Sequence, residues 1–431
     1  MPLGLHPDLK QRLVALVTEC LPHFVVTNNS FLDYQRLPEL GALDAALPDA
    51  KSDLRRRLHK LVGETPVKTF LLGTIADSLS SRPFDAEAMA TSLSDIEDFA
   101  DIAATAAQIV QAFDELPREY EVLVQLRYPA SDLFKAVVGD SGVRLTSDLR
   151  LLKIPATDSP FALQESSDLT FLQSNYPSGV HAEALYVGVT VHGYIPRHGT
   201  TSALEYASFA VRSFLGLCMA QRILRRGYSA SLGGRHRHYM FVYPSAVAGP
   251  ARLEAAHELS FELSEMFDAL ALDSIYTKVE PADRPQLITS VLSDISVAMR
   301  EHASDDRLLR AAQWLFDSNA GSSDLLSFVQ AMICLEIALG DKQVSDLMGL
   351  GELLANRCAF LVGKTRKQRD DILVDFRRIY NTRSKIVHSG HNRLSAKEVD
   401  DLWTLRWLCS RVIQEEMRLS IADANARASA T

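Results

Sequence analysis

A chain of 431 residues with 47% hydrophobic and 23% charged side chains has a globular balance, and its length suits two or three domains rather than one core. A formal net charge of −9 argues against a protein that coats nucleic acid with its whole surface. There is no apolar run of bilayer length, and the opening MPLGLHPDLKQRL lacks the basic and apolar regions of a secretory signal. The expectation is a cytoplasmic protein with no membrane partner.

The predicted elements begin with an amphipathic helix over 7–26, followed by helices broken at Pro48, Pro66 and Pro83. Ser92-Leu-Ser-Asp-Ile-Glu predicts the start of a long helix to about Glu115, ended by Pro117. The pattern then changes. Strands are expected at Glu121–Leu126, Val143–Leu145, Leu149–Ile154, Leu185–Ile195 and His236–Tyr243, with a helix at Ser202–Arg225. A further helix is expected over Arg252–Leu272.

From about Arg284 the pattern is helical: Gln286–Arg300, Asp306–Phe316, Leu325–Leu339, Leu347–Leu361 and Asp370–His388. Ser389-Gly390 reads as a helix stop, and Ser395-Ala-Lys-Glu398 as a capping box that opens a last helix to about Leu419. The fold class expected is α+β: a mixed N-terminal region followed by an all-α bundle. The expected division is 1–118, helical; 119–283, α+β; and 284–422, the bundle.

Several chemistries find little support. The five cysteines are scattered, odd in number and without a CxxC pair, so small buried hydrophobes are expected rather than disulfides or zinc ligands. Gly363-Lys364-Thr365 resembles the tail of a P-loop, but Cys358 stands where the first glycine belongs. His236 and His238 share a strand face without an evident third ligand. With Arg222, Arg225, Arg226 and Arg235 they make a weaker candidate for a second basic surface, contacting RNA or a partner. Ser213 and Ser389 lie in no G-x-S-x-G elbow.

Within this acidic chain, Lys364 to Arg393 holds nine Lys or Arg against three Asp. Phosphate binding needs such a local excess, although a solvated helix face would also carry it. The same stretch contains Tyr380-Asn-Thr-Arg-Ser-Lys-Ile-Val-His-Ser-Gly390, with four residues between Arg383 and His388. This segment resembles the signature of Apea-like HEPN domains, an Arg followed after four to six residues by a His near the end of a bundle helix. The upstream Cys334-Leu-Glu-Ile-Ala-Leu339 is similar to an earlier helix of that family. The resemblance covers roughly 300–420, and it departs from the common pattern at Ser384, where Asn, Asp or His often follows the Arg.

The resemblance implies a HEPN-like bundle and a metal-independent endoribonuclease without cofactor, with Arg383 and His388 catalytic. RNA carries its own nucleophile, the ribose 2′-OH. An imidazole can take that proton or protonate the departing oxygen, and a guanidinium can hold the charged phosphorus centre. Ser384, Asn381, Tyr380 and Glu336 are supporting candidates, Glu336 as an ion-pair partner for Arg383 and Tyr380 equally as packing. Arg377, Arg378, Lys385, His391 and Arg393 are candidate RNA contacts.

Five residues along an α-helix is an offset of about 140°, so Arg383 and His388 do not share a face. The resemblance implies a homodimer in which two motif helices meet. It also implies a toxin or antiviral, abortive-infection effector that cuts RNA, tRNA being one candidate. The N-terminal region would then restrain the nuclease or sense a phage or cellular trigger. The alternatives are a non-catalytic HEPN binding or dimerisation module, and a regulatory partner of a nucleotidyltransferase.

Overall fold

A computed structural model of the chain describes residues 2–33, 40–164, 177–227, 237–245, 249–302, 305–321, 323–340, 349–388 and 392–430. The N-terminal part holds α1 (Pro7–Cys20), α2 (Leu40–Ala45), α3 (Asp53–Leu61), α4 (Pro66–Leu79) and α5 (Ile102–Asp114). It also holds a small antiparallel sheet of β1 (Val25–Thr27), β2 (Phe31–Asp33) and β3 (Thr91–Ser92), in the order β2-β1-β3.

Two sequence expectations are corrected here. The first helix stops at Cys20 and the chain re-emerges extended at Val25, because Pro22 cannot donate to a continuing helix. The long helix expected from Ser92 is two 3₁₀ turns followed by α5, whose true start is Asp101, where the carboxylate accepts from Ala104 N at 2.9 Å.

The middle of the chain builds a six-stranded antiparallel sheet from β4 (Arg118–Leu126), β5 (Val143–Arg144), β6 (Leu149–Lys153), β7 (Leu185–Gly193), β9 (Tyr239–Pro244) and β10 (Ala255–Glu258). Its order is β10-β9-β4-β7-β6-β5. The central pair runs in register from Arg118↔Gly193 to Leu126↔Leu185. Alternation sorts the faces: Tyr120, Val122 and Val124 enter one core, while Leu123 enters another with Tyr186, Phe241 and Tyr243. Between β4 and β5 lies α6 (Ala130–Lys135), and α7 (Ser202–Ala220) covers the first face.

The helix expected to reach Arg225 ends at Ala220. Arg222 adopts φ 60°, and β8 (Leu224–Arg226) pairs with β11 (Leu270–Leu272). The helix expected over Arg252–Leu272 is instead β10, α8 (Phe261–Ala269) and β11. Pairing with β9 and β8 outweighs local helical propensity at its two ends, and Ser260 caps α8.

Beyond α9 (Ser274–Thr277), the chain is helical: α10 (Arg284–Glu301), α11 (Arg307–Ala320), α12 (Asp324–Leu339), α13 (Leu350–Val362), α14 (Arg366–His388) and α15 (Ala396–Ala430). The hydrophobic core does not divide where the sheet region gives way to these helices. One cluster runs from Tyr120 on β4 through Phe214 on α7 to Met417 on α15. Gly216 makes this possible: a Cβ there would lie 1.9 Å from the Ala312 carbonyl oxygen, so only glycine lets α7 lie this close to α11. Ser213 Oγ donates to Leu309 O at 2.9 Å, and Arg212 pairs with Asp317 at 3.0 Å across the same contact.

The N-terminal part has its own core around Leu13, Phe70 and Phe113, into which Tyr194 inserts beyond β7, its ring 4.6 Å from that of Phe70. All five cysteines are buried, as expected of small hydrophobes. Among the described residues, no helix is long and apolar enough to cross a membrane.

Candidate functional site

The motif lies on α14, and the reasons that α14 forms can be read from its residues. Thr365 Oγ1 accepts from Gln368 N at 3.2 Å, and Gln368 Oε1 accepts from Thr365 N at 3.2 Å, a reciprocal cap. The P-loop-like Gly363-Lys364-Thr365 is therefore a turn between two helices, with Lys364 paired to Glu415 at 2.9 Å. Ile372, Phe376, Ile379 and Thr382 recur at helical spacing and are buried, which turns the arginine-rich positions sideways and outward.

Arg383 leans inward. Its Nη2 lies 3.5 Å from Glu336 Oε1 on α12, and its guanidinium carbon is 5.8 Å from the Tyr380 ring. Glu336 is thus the partner expected from the sequence. Burial pushes its carboxyl above the ordinary range, and the Arg383 charge pulls it back. Tyr380 packs into the bundle: a Cβ at Gly351 on α13 would be 2.9 Å from its ring. The glycine therefore seats the tyrosine, and the tyrosine flanks the arginine.

His388 is exposed at the last residue of α14, beside exposed Val387. Among the described residues, no hydrogen bond or ion pair joins it to Arg383 within one chain, in keeping with the offset of about 140°. Ser384 is half-buried, whereas Asn381 and Arg377 face solvent.

The remaining candidates divide. Arg378 is taken by the buried Asp401, to which it donates through Nε, and by Asp375 at 3.0 Å; Thr382 Oγ1 also donates to Asp401 at 3.4 Å. Arg378 therefore ties α14 to α15. Lys385 reaches Glu398 at 3.2 Å, and Glu398 accepts from Ser395 N at 2.9 Å, the capping contact expected there. Arg393 is exposed, and His391 lies outside the described residues with Ser389 and Gly390. His236 and Arg235 lie outside them as well, while His238 is held by Asp268 at 2.9 Å.

Sequence reasoning missed Asp401 and Asp375 as owners of Arg378. It also passed over Trp403, Trp407 and Arg406 on α15. Two tryptophans four residues apart, off the Leu402-Leu405-Leu408-Cys409 apolar face of the same helix, were the available signal.

One copy thus offers an anchored guanidinium and a separate, solvent-facing imidazole on the same helix end. Compared with models of known protein families, with curated proteins and with solved structures, the chain matches none.

Proposed function

We propose that the chain is a metal-independent endoribonuclease of HEPN type, acting as a homodimer whose two α14 ends share one cleft. The carrying observation is the constellation at the end of α14: Arg383 held against Glu336 and Tyr380, with His388 exposed about 1.4 helical turns beyond. The supporting sequence observation is the local basic excess around it.

The reaction balances with two such ends. One imidazole takes the proton of a ribose 2′-OH, the 2′-oxygen bonds to phosphorus, and the P–O5′ bond breaks. A second, protonated imidazole donates to the departing 5′-oxygen. The products are a 2′,3′-cyclic phosphate and a 5′-hydroxyl, and Arg383 stabilises the charge that builds on the phosphoryl oxygens. With one His388 per chain, the second imidazole comes from a second copy.

On this reading the N-terminal α+β part restrains the nuclease or receives its trigger, in the manner of a toxin or antiviral effector. The core shared between the sheet and the bundle gives a physical route for that coupling. A second reading, a non-catalytic binding module, is favoured by one observation: Arg383 is already engaged by Glu336.

The two readings separate when labelled tRNA or total RNA is incubated with the protein in EDTA, beside Arg383→Ala and His388→Ala. Cleavage lost in both variants is expected of the nuclease. No cleavage by the wild type in lysate of infected or stressed cells, where a trigger would be supplied, favours the binding module.

A further inference from the structure

Trp403 and Trp407 are 62% and 46% exposed on α15, and at a spacing of four residues they share one helix face, about 40° apart. Indoles left in water forgo the burial that normally holds them, so an exposed pair calls for an explanation. The third tryptophan of the chain, Trp314, packs against the core. The exposed pair borders a groove of about 720 Å³ between α15 and the β8–β11 ribbon, lined also by Arg222, Arg225, Arg226 and Arg406.

Acids account for only part of this charge. Asp273 takes Arg222 at 3.4 Å and Glu265 takes Arg226 at 3.0 Å. Among the described residues, Arg225 donates to carbonyls alone, at Leu272 and at Arg226. Arg406 donates to the Ser318 carbonyl and lies 5.5 Å from the Trp403 ring, while its buried Nε finds no partner among the described residues. Burial and the nearby Arg226 charge depress the Arg406 guanidinium to about 10, against the opposing charge of Asp324, which also lines the groove. A half-buried guanidinium with an unsatisfied donor beside a like charge is a place where an anion is stabilising.

We infer that this groove binds single-stranded RNA, with a backbone phosphate at Arg406 and Arg225 and bases stacked on Trp403 and Trp407. Ring faces beside guanidinium groups suit unpaired bases, whereas a duplex hides its base faces. The choice of RNA rests on the ribonuclease reading, which the groove extends by giving the substrate strand a track. Lys385 fixes the end of α14 against Glu398, and Trp403 follows five residues later, about 7.5 Å of helix rise and about 140° around α15, so a strand in the groove reaches the end of α14 by passing round that helix. A second copy of the chain is a poorer occupant, because a two-fold interface would set the same arginines against one another.

The test titrates the full chain with an unstructured, labelled 2′-O-methyl RNA, which lacks the nucleophile and is not cut. Two of the three indoles line the groove, so binding should quench intrinsic fluorescence, and affinity should fall as salt rises. Trp403→Ala with Trp407→Ala should weaken binding at least about tenfold, by loss of stacking. The matching pair of Phe substitutions should restore most of it, and Arg406→Gln should weaken it with a smaller salt slope. Unchanged affinity in the double alanine variant would overturn the proposal, as would equal binding of the same sequence as a duplex. So would a double variant that changes from dimer to monomer in sedimentation while keeping its RNA affinity. Failure of the ribonuclease reading would look different: binding at the groove intact, natural RNA uncut.

Discussion

Arg383 on α14 and Glu336 on α12 meet at 3.5 Å, with side chains 25% and 26% exposed. The pair sits at the boundary between bundle interior and solvent, where a carboxylate is costly and a guanidinium beside it offsets part of that cost. It holds Arg383 in one place, the position from which the proposed reaction has it meet a phosphate.

The pair makes stability depend on pH in a definite direction. Burial raises the folded-state carboxyl of Glu336 above its ordinary 4.5. The folded chain therefore holds that proton more tightly than the unfolded chain. Its stabilising contribution is complete below 4.5 and is lost as pH rises through the folded value. Glu336→Gln removes this dependence. In urea titrations the variant should gain on the wild type between acidic and neutral pH. A stability difference that does not change with pH would contradict the raised carboxyl, because burial lifts it and Arg383 opposes the lift.

His388 is exposed at a helix end, so His388→Ala should change unfolding free energy by no more than about 0.5 kcal/mol. A much larger loss would mean that the side chain has a packing role, and would weaken its use as a catalytic probe. Circular dichroism melts of the two proteins decide this.

Arg378 has a different task. Asp401 is 1% exposed and depends on Arg378 and Thr382 for hydrogen bonds. Arg378→Ala should cost about 2 kcal/mol, less than a fully buried pair because the arginine is partly exposed. Arg377→Ala, at an exposed neighbour, should cost almost nothing. Equal stabilities of the two variants would contradict the clamp.

Gly216 tests whether the sheet region and the bundle share a core. A methyl there would meet the Ala312 carbonyl oxygen at 1.9 Å, so Gly216→Ala must move α7 off α11. A loss of about 3 kcal/mol is expected, with one cooperative transition lowered as a whole. If instead the melt splits in two, the halves fold more independently than the core indicates.

Period and capping made much of this fold legible. The strands at Glu121, Leu149 and Leu185 and the helices from Arg284 onward follow their hydrophobic spacing. The capping box at Ser395 and the Glu336–Arg383 pair were also readable from local chemistry and residue type. What failed depended on partners far along the chain. Ala255–Glu258 and Leu270–Leu272 are extended because strands already in place pair with them. The ownership of Arg378 by Asp401, and the meeting of Arg226 with Arg406, needed α15 laid beside α14 and β8, which no local spacing encodes.

The most direct test is the chemistry of the ends produced when purified protein cuts RNA in EDTA. Expected are 2′,3′-cyclic phosphate and 5′-hydroxyl termini, absent from reactions with His388→Ala and with Arg383→Ala. Cleavage that persists in His388→Ala, or termini carrying 5′-phosphate and 3′-hydroxyl, would contradict a 2′-OH attack assisted by the end of α14.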